Sequence, residues 1–386
     1  MTRSATEQFE QLTVARRRVS VVIPCLNEAG NIEECIARAR SALANLASEV
    51  IVVDNGSDDA SAALARAAGA TVVLEPRRGY GQACLSGFEA SSGEYIVMID
   101  ADLTYDFDEI PRFVTELDRG AQLVMGNRME HIESGAMSRM SRIGNPILSG
   151  FLKLVHGSRV RDAHCGLRAL RRDALPALDL HATGMEFASE MVIRAAKINL
   201  DVRELPVELH RRRGESKLLP FRDGWRHLRL ILIHSPTALF IVPGAAMVGL
   251  GAAMELTVFA HLSLFGRSWF LHTLIAGCAL VIVGVQVIGL GLCGRAYAVF
   301  VLGERDAWFE AVGRRVGLEQ ALLLALVVVL SGLALGGVVV AEWVAHGFGS
   351  LGEERVAIVA MTLVVTGIQL FFTSFLISLL GQRRQG

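Results

Sequence analysis

The sequence predicts an α/β domain built on a mostly parallel sheet, followed by an all-α membrane domain of four helices. Three observations predict it. Up to about residue 229, short apolar runs alternate with amphipathic segments, as strands do when connecting helices cover both faces of their sheet. Beyond that point come four uncharged runs, residues 230–254, 268–294, 320–341 and 356–382. Each is long enough for the roughly 20 residues a helix needs to cross the hydrocarbon core. Third, acidic and amide side chains collect directly behind the apolar runs, at the strand ends where such sheets bind ligands. The expected boundaries are a disordered tail over 1–18, the α/β domain over 19–217, a helix at the membrane surface over 218–236 and a membrane domain over 237–386. Its spans are expected near 237–256, 270–292, 320–341 and 357–380.

Taken in order, "VSVVIPCL" from Val19 reads as the first strand, and Asn27 can cap a helix running through residues 28–46. "EVIVVDN" is the second strand, followed by a turn and helix in "GSDDASAALARAAG". "TVVLEP" is the third strand and "GYGQACLSGFEASSG" the next helix. "EYIVMIDAD" is the fourth strand, and "QLVMGNR" another after a short helix over 108–118. The stretch "GYGQAC" nearly matches the dinucleotide fingerprint G-x-G-x-x-G/A. It puts Cys84 at the third small position and follows the third strand instead of the first, so it reads as a glycine turn into a helix.

Composition removes several classes. A net charge of −1 gives no polycation for nucleic acid. Six scattered cysteines (Cys25, Cys35, Cys84, Cys165, Cys278, Cys293) contain no C-x-x-C pair, as expected of reduced thiols. His164 beside Cys165 and Asp162 lacks the spaced pairs of a structural zinc site. Only three basic residues are lysines (Lys153, Lys197, Lys217), a bias that base composition explains, so only arginines in particular places carry meaning.

The chemistry concentrates in "YIVMIDADLTYDFDEI". An extended chain would turn Asp100 and Asp102 to one side, since strand side chains alternate. Two carboxylates aimed together repel unless a hard cation lies beside them, and Mg²⁺ or Mn²⁺ suits carboxylate oxygens completed by substrate phosphates. Asp106, Asp108 and Glu109 instead suit the start of the next helix, where negative charge meets the N-terminal dipole.

The motifs "VVIPCLNE", "VIVVDNGSDD", "RRGYGQA", "MIDADLTY", "MGNR" and "RRGESKL" stand in the order seen in family 2 glycosyltransferases of the dolichyl or polyprenyl phosphate sugar synthase type. The resemblance covers about residues 19–218, and the four spans resemble the membrane-anchored members. It implies a GT-A nucleotide-sugar fold, a divalent metal, and inverting transfer of one hexose from UDP-glucose or GDP-mannose to polyprenyl or dolichyl phosphate. By position, Pro24, Asn27 and Glu28 would line the base pocket, with Asp54 and Asn55 beside the nucleoside. Asp100 would lie near ribose and metal, and Asp102 would be the direct metal ligand. Arg128, Arg142 and Asn145 would hold the acceptor phosphate. Arg211, Arg213, Ser216 and Lys217 would close over the sugar diphosphate. Asp162, Gly166 and Arg168 fall in a D-x-x-x-G-x-R segment, and Glu190 would sit under the donor sugar. Two departures stand out: Asn55 replaces the second aspartate of the commoner D-D-G-S, and Thr104 replaces a glutamine that ligates metal in some relatives.

Residues 218–236 carry Arg222, Arg226 and Arg229 on one helical face, with Trp225, Leu228 and Ile231 read on another, a pattern for a helix at the lipid head groups. Residues 303–318 read as a second such helix. The N-terminus shows no apolar signal segment, and Arg295, Arg305, Arg314, Arg315, Arg383 and Arg384 fall on one side of the spans while Arg267 and Arg355 fall on the other. The catalytic domain and both termini are therefore expected in the cytoplasm. Gly332 and Gly336 would permit close helix packing, including a homo-oligomer. Two rival functions share these features: a processive polysaccharide synthase, whose Q-x-x-R-W is matched only by "DGWRH", and a membrane protein that binds nucleotide without turnover.

Overall fold

The computed structural model describes residues 19–214, 220–264, 267–268, 270–301, 306–348 and 353–382. The expected tail over 1–18, Ser216 and Lys217, and Arg305, Arg383 and Arg384 lie outside the described residues. The chain forms two compact units, Met1–His234 and Ser235–Gly386.

The first unit is a seven-stranded sheet covered on both faces. Its strands are β1 (Val19–Cys25), β2 (Ser48–Asp54), β3 (Thr71–Leu74), β4 (Tyr95–Met98), β5 (Leu123–Asn127), β6 (Arg168–Arg171) and β7 (Val202–Pro206), in the order β3-β2-β1-β4-β6-β5-β7. All pairings are parallel except those of β6, which runs antiparallel between β4 and β5. Alternation along β1 explains the two-sided core. Val21 and Ile23 join one apolar cluster with Ile32, Ile36 and Phe113, while Val22 joins another with Phe88, Phe187 and Met191. The helices over these faces are α1 (Ile32–Ala42), α2 (Ser61–Ala67), α3 (Tyr80–Ala90), α4 (Ile110–Asp118), α5 (Arg139–His156), the short α6 (Leu175–Leu178), α7 (Phe187–Lys197) and α8 (Pro220–Ile233).

Two strands escape the sequence pattern. The residues of β6 read R-A-L-R, with no apolar run to mark them, yet Arg168 is fully buried in the sheet. The edge strand β7 has half-buried residues and carries a charge on each face, Arg203 on one and Glu204 on the other. Asn27 also departs from expectation. It does not cap α1, which starts five residues later; its backbone is left-handed, and its side chain instead accepts from the Asp58 N–H. Asp106, by contrast, accepts from the Asp108 N–H and so starts the turn that leads into α4.

In α8 the inward face is set by His227 and Ile231, while Trp225 is 60% exposed. Trp225 and Ile231 are six residues apart, about 600° of helical turn, so they do not share a face as the sequence reading had them.

Among its described residues the second unit holds four helices long and apolar enough to cross a membrane: Thr237–Phe259, Leu271–Phe300, Leu318–Ala345 and Glu354–Gly381. The first begins as a π-helical turn, Thr237–Ile241, and continues as α9 (Val242–Phe259); the next two are α10 (Leu271–Phe300) and α12 (Leu318–Ala345), separated by α11 (Ala307–Arg315), and the last is α13 (Glu354–Gln382). Helices α9 and α10 touch backbone to backbone at Gly244 and Gly284. A Cβ on either would approach the carbonyl oxygen of the other to 2.8 or 2.7 Å, so only glycine fits. Gly332 faces Ala360 and Val364 of α13, so its small size serves packing within this bundle. The short α11 is capped by Asp306, which also pairs with Arg295 beneath Trp308.

Candidate active site

The site forms where β1, β2 and β4 end. Parallel pairing puts Cys25 opposite Asp54, and Val22 opposite Met98, so the segments following all three strands emerge at one edge. Pro24 is half-buried at the end of β1. Beyond it the Asn27 N–H donates to Ser57 Oγ, and the Glu28 N–H to Ser61 Oγ, which ties the first loop to the second.

Asp54 is buried, and its Oδ1 has no hydrogen-bond partner among the described residues. A buried acceptor left open costs about 1–3 kcal/mol, which a ligand donor at this strand end would recover. Asn55 explains its own departure from the commoner aspartate. Its Nδ2 donates to the carbonyls of Glu75 (3.0 Å) and Arg77 (2.8 Å), and its Oδ1 accepts from the Gly79 N–H. An aspartate has no N–H to give those carbonyls, so Asn55 serves to hold the loop after β3.

Asp100 and Asp102 do not continue β4, which ends at Met98; they sit in a turn in which Leu103 is left-handed. They remain close enough to feel each other. Burial, and then the charge of Asp102, push Asp100 up to about 6. The Tyr80 hydroxyl donates to Asp100 Oδ1 at 2.9 Å, and burial keeps that phenol protonated. Gly166 closes over the other oxygen: a Cβ there would lie 2.1 Å from Asp100 Oδ2. Thr104 turns out to be a support. Its N–H (3.1 Å) and hydroxyl (2.6 Å) both donate to Asp102 Oδ1, which leaves Oδ2 as the outward oxygen.

No cluster of three or more His, Cys, Asp or Glu side chains surrounds a common point among the described residues. Two carboxylates with one oxygen fixed and one turned outward nevertheless fit Mg²⁺ or Mn²⁺, which take one or two protein carboxylates and complete their shell with phosphate and water.

The basic residues correct several expectations. Arg128 is not free for a phosphate. It is buried and bidentate to Asp162 through Nε (2.7 Å) and Nη2 (2.8 Å), and Nη1 reaches the Tyr105 hydroxyl. Burial works against both charges, yet the pairing holds the Asp162 carboxyl below its ordinary range. Tyr105 in turn accepts from the Gly166 N–H at 2.8 Å, so Arg128 braces the segment that closes on Asp100. Arg168 is likewise internal. Its guanidinium donates to the carbonyls of Ala163, Cys165 and Ala188, so it fastens β6 to α7. Glu190 accepts from the N–H groups of His181 and Ala182 and supports the loop against which α3 begins.

Arg211 donates to the Ser134 carbonyl, and Arg213 pairs with Glu34 at 2.7 Å; both are exposed. Between them Arg212, which the sequence reading passed over, reaches Glu28 Oε1 at 2.6 Å and Asp102 Oδ2 at 3.2 Å. In an extended segment alternate side chains point oppositely, so a run of three arginines puts the middle one against the other two. Arg142 and Asn145 lie on α5, the former exposed and the latter half-buried. Tyr80, Tyr105 and Thr104 were also missed as supports; the signal available was their position directly beside the acidic turn and the glycine turn.

Residues 20–178 match the family model for glycosyl transferase family 2, and residues 292–381 match that for the glycosyltransferase family 2 C-terminal transmembrane region. The chain is 38% identical over 369 residues to the low-salt glycan biosynthesis hexosyltransferase Agl6 of Haloferax volcanii, covering 94% of this chain and 89% of that one. It is 32% identical over 294 residues to an undecaprenyl-phosphate 4-deoxy-4-formamido-L-arabinose transferase of Pseudomonas fluorescens, covering 72% and 83%. Among solved structures it is similar to the glucosyl-3-phosphoglycerate synthase of Mycobacterium tuberculosis, at 26% identity and a TM-score of 0.49 over 61% of this chain and 86% of that one.

Proposed function

Because the chain belongs to glycosyltransferase family 2, we propose that it transfers a single hexose from a nucleotide sugar, UDP-glucose or GDP-mannose, to polyprenyl or dolichyl phosphate with inversion at the anomeric carbon. The observation that carries this reading is the carboxylate pair Asp100 and Asp102 at the sheet edge, one raised to about 6 and the other with a single oxygen turned outward. A lipid phosphate acceptor is supported by the undecaprenyl-phosphate transferase named above and by four spans that keep the enzyme at the bilayer where such a lipid sits.

Asp54, with its open Oδ1, takes a hydroxyl or base N–H of the nucleoside beside Pro24 and Asn27. Asp102 would hold the cation, with Thr104 fixing the carboxylate plane through Oδ1. Mg²⁺ or Mn²⁺, when bound, neutralises charge on the departing diphosphate. The acceptor needs no side chain to deprotonate it, because its phosphate oxygen is already anionic. Positioning and charge neutralisation therefore supply the catalysis. Arg142, exposed on α5 near Asn145, meets the acceptor phosphate, while Arg128 with Asp162 holds the wall behind the donor. Arg295, near the end of the second span, and Arg314 and Arg315, in the connection to the third, support placing that side, and the catalytic unit with it, in the cytoplasm.

The test is incubation of membranes carrying the protein with Mn²⁺ or Mg²⁺, polyprenyl phosphate and a panel of radiolabelled nucleotide sugars. The expected result is metal-dependent label in the lipid phase with one donor, abolished by Asp102→Asn. Label that persists undiminished in that variant removes the metal assignment, and no label with any donor removes the function.

A further inference from the structure

Arg212 lies where a divalent cation would have to approach Asp102. Thr104 occupies Oδ1, so Oδ2 is the oxygen open to any cation, and the Arg212 guanidinium already pairs with it at 3.2 Å while bonding Glu28 at 2.6 Å. A guanidinium and a metal ion at one oxygen repel each other, and partial burial leaves that repulsion less screened than it would be in water. Arg212 also carries a signature of an absent partner. Its Nε–H is buried with no acceptor among the described residues. An N–H in that condition fits an anionic oxygen, and a diphosphate brings several.

The backbone around Arg212 is fixed while its side chain has space. The His210 N–H donates to the Thr104 carbonyl at 2.9 Å, and Asn31 Nδ2 donates to the Arg213 carbonyl at 2.9 Å, pinning the segment on both sides. Beside it opens a cavity of about 440 Å³ lined by Leu103, Glu133, His210 and the neighbouring arginines.

We propose that Arg212 is an exchangeable counter-ion: it holds Asp102 and Glu28 until a nucleoside diphosphate arrives with its divalent cation, then passes from Asp102 to a diphosphate oxygen. The inference rests on the nucleotide-sugar reading above and adds to it a coupling between the two ligands. Metal alone must displace a guanidinium from Asp102. Metal with diphosphate meets a guanidinium that has a better partner, so each ligand strengthens the other, reciprocally.

The test is titration of Mn²⁺ into the full-length protein in detergent, followed by electron paramagnetic resonance, without nucleotide and with UDP or GDP. Wild type is expected to bind Mn²⁺ weakly alone and roughly 5- to 150-fold more tightly with the diphosphate it accepts, the usual span of such coupling. Arg212→Gln is expected to bind Mn²⁺ alone more tightly than wild type and to lose most of the nucleotide enhancement. Unchanged or weaker Mn²⁺ binding in that variant, with the enhancement intact, overturns the proposal and leaves the function standing. Wild type that binds neither Mn²⁺ nor either diphosphate overturns both. Arg212→Lys keeps the charge but lacks the planar fork that meets Glu28 and Asp102 through separate nitrogens, so it should fall between. Should Arg212→Gln fail to fold, wild-type behaviour of Arg212→Lys overturns the proposal.

Discussion

At the scale of single residues, the site is a set of carboxylates whose oxygens are individually assigned. Asn55 shows how narrow the tolerance is. Replacing it by the commoner aspartate removes two N–H donors and sets a carboxylate against the carbonyls of Glu75 and Arg77. Asn55→Asp is therefore expected to lower stability by about 1–3 kcal/mol and raise KM for the donor, checked by thermal melting and by initial rates. The pair Arg128 and Asp162 is more demanding, with side chains 10% and 0% exposed. Asp162→Asn leaves a buried guanidinium uncompensated and is expected to cost about 3–5 kcal/mol in chemical denaturation. The sign of its pH dependence follows from the depressed Asp162 carboxyl. The pair's contribution is full above the unfolded value of about 4 and is lost as pH falls from there through the lower folded value. The variant should show a shallower loss of stability on acidification.

At the scale of elements, the strands rich in apolar residues were legible because burial on both faces selects for them; β1, β2 and β4 are of this kind, with the buried Ser20 of β1 satisfied by Glu49. The charged β6 was not, since Arg168 is buried by virtue of three carbonyl acceptors that lie far from it in sequence or fold back on it. The same distinction runs through the site. The acidic turn after β4 was readable from composition, whereas the choice of Arg212 over Arg211 and Arg213 depends on which way an irregular segment faces. Thr104 became interpretable only once its hydroxyl was seen on Asp102. In the membrane unit the spans were legible by length, and the helix contacts were not. Gly244→Leu forces α9 and α10 apart and is expected to destabilise by about 1–3 kcal/mol, while Gly249→Leu, which meets nothing within 4 Å, should leave the melting temperature in detergent unchanged.

At the scale of the whole molecule, a GT-A fold and four apolar helices on one chain suit the proposed function, in which a water-soluble donor and a membrane-bound acceptor meet at one enzyme. That combination also underlies polymer-forming synthases, so the number of sugars added per acceptor distinguishes the account from its nearest rival. The most direct measurement is mass spectrometry and NMR of the lipid product made by purified protein from the preferred α-linked donor, polyprenyl phosphate and Mn²⁺. The expected product carries one hexose per lipid phosphate, joined through a β-linkage. A ladder of longer glycans, a retained α-linkage, or transfer to an acceptor that carries no phosphate would contradict it.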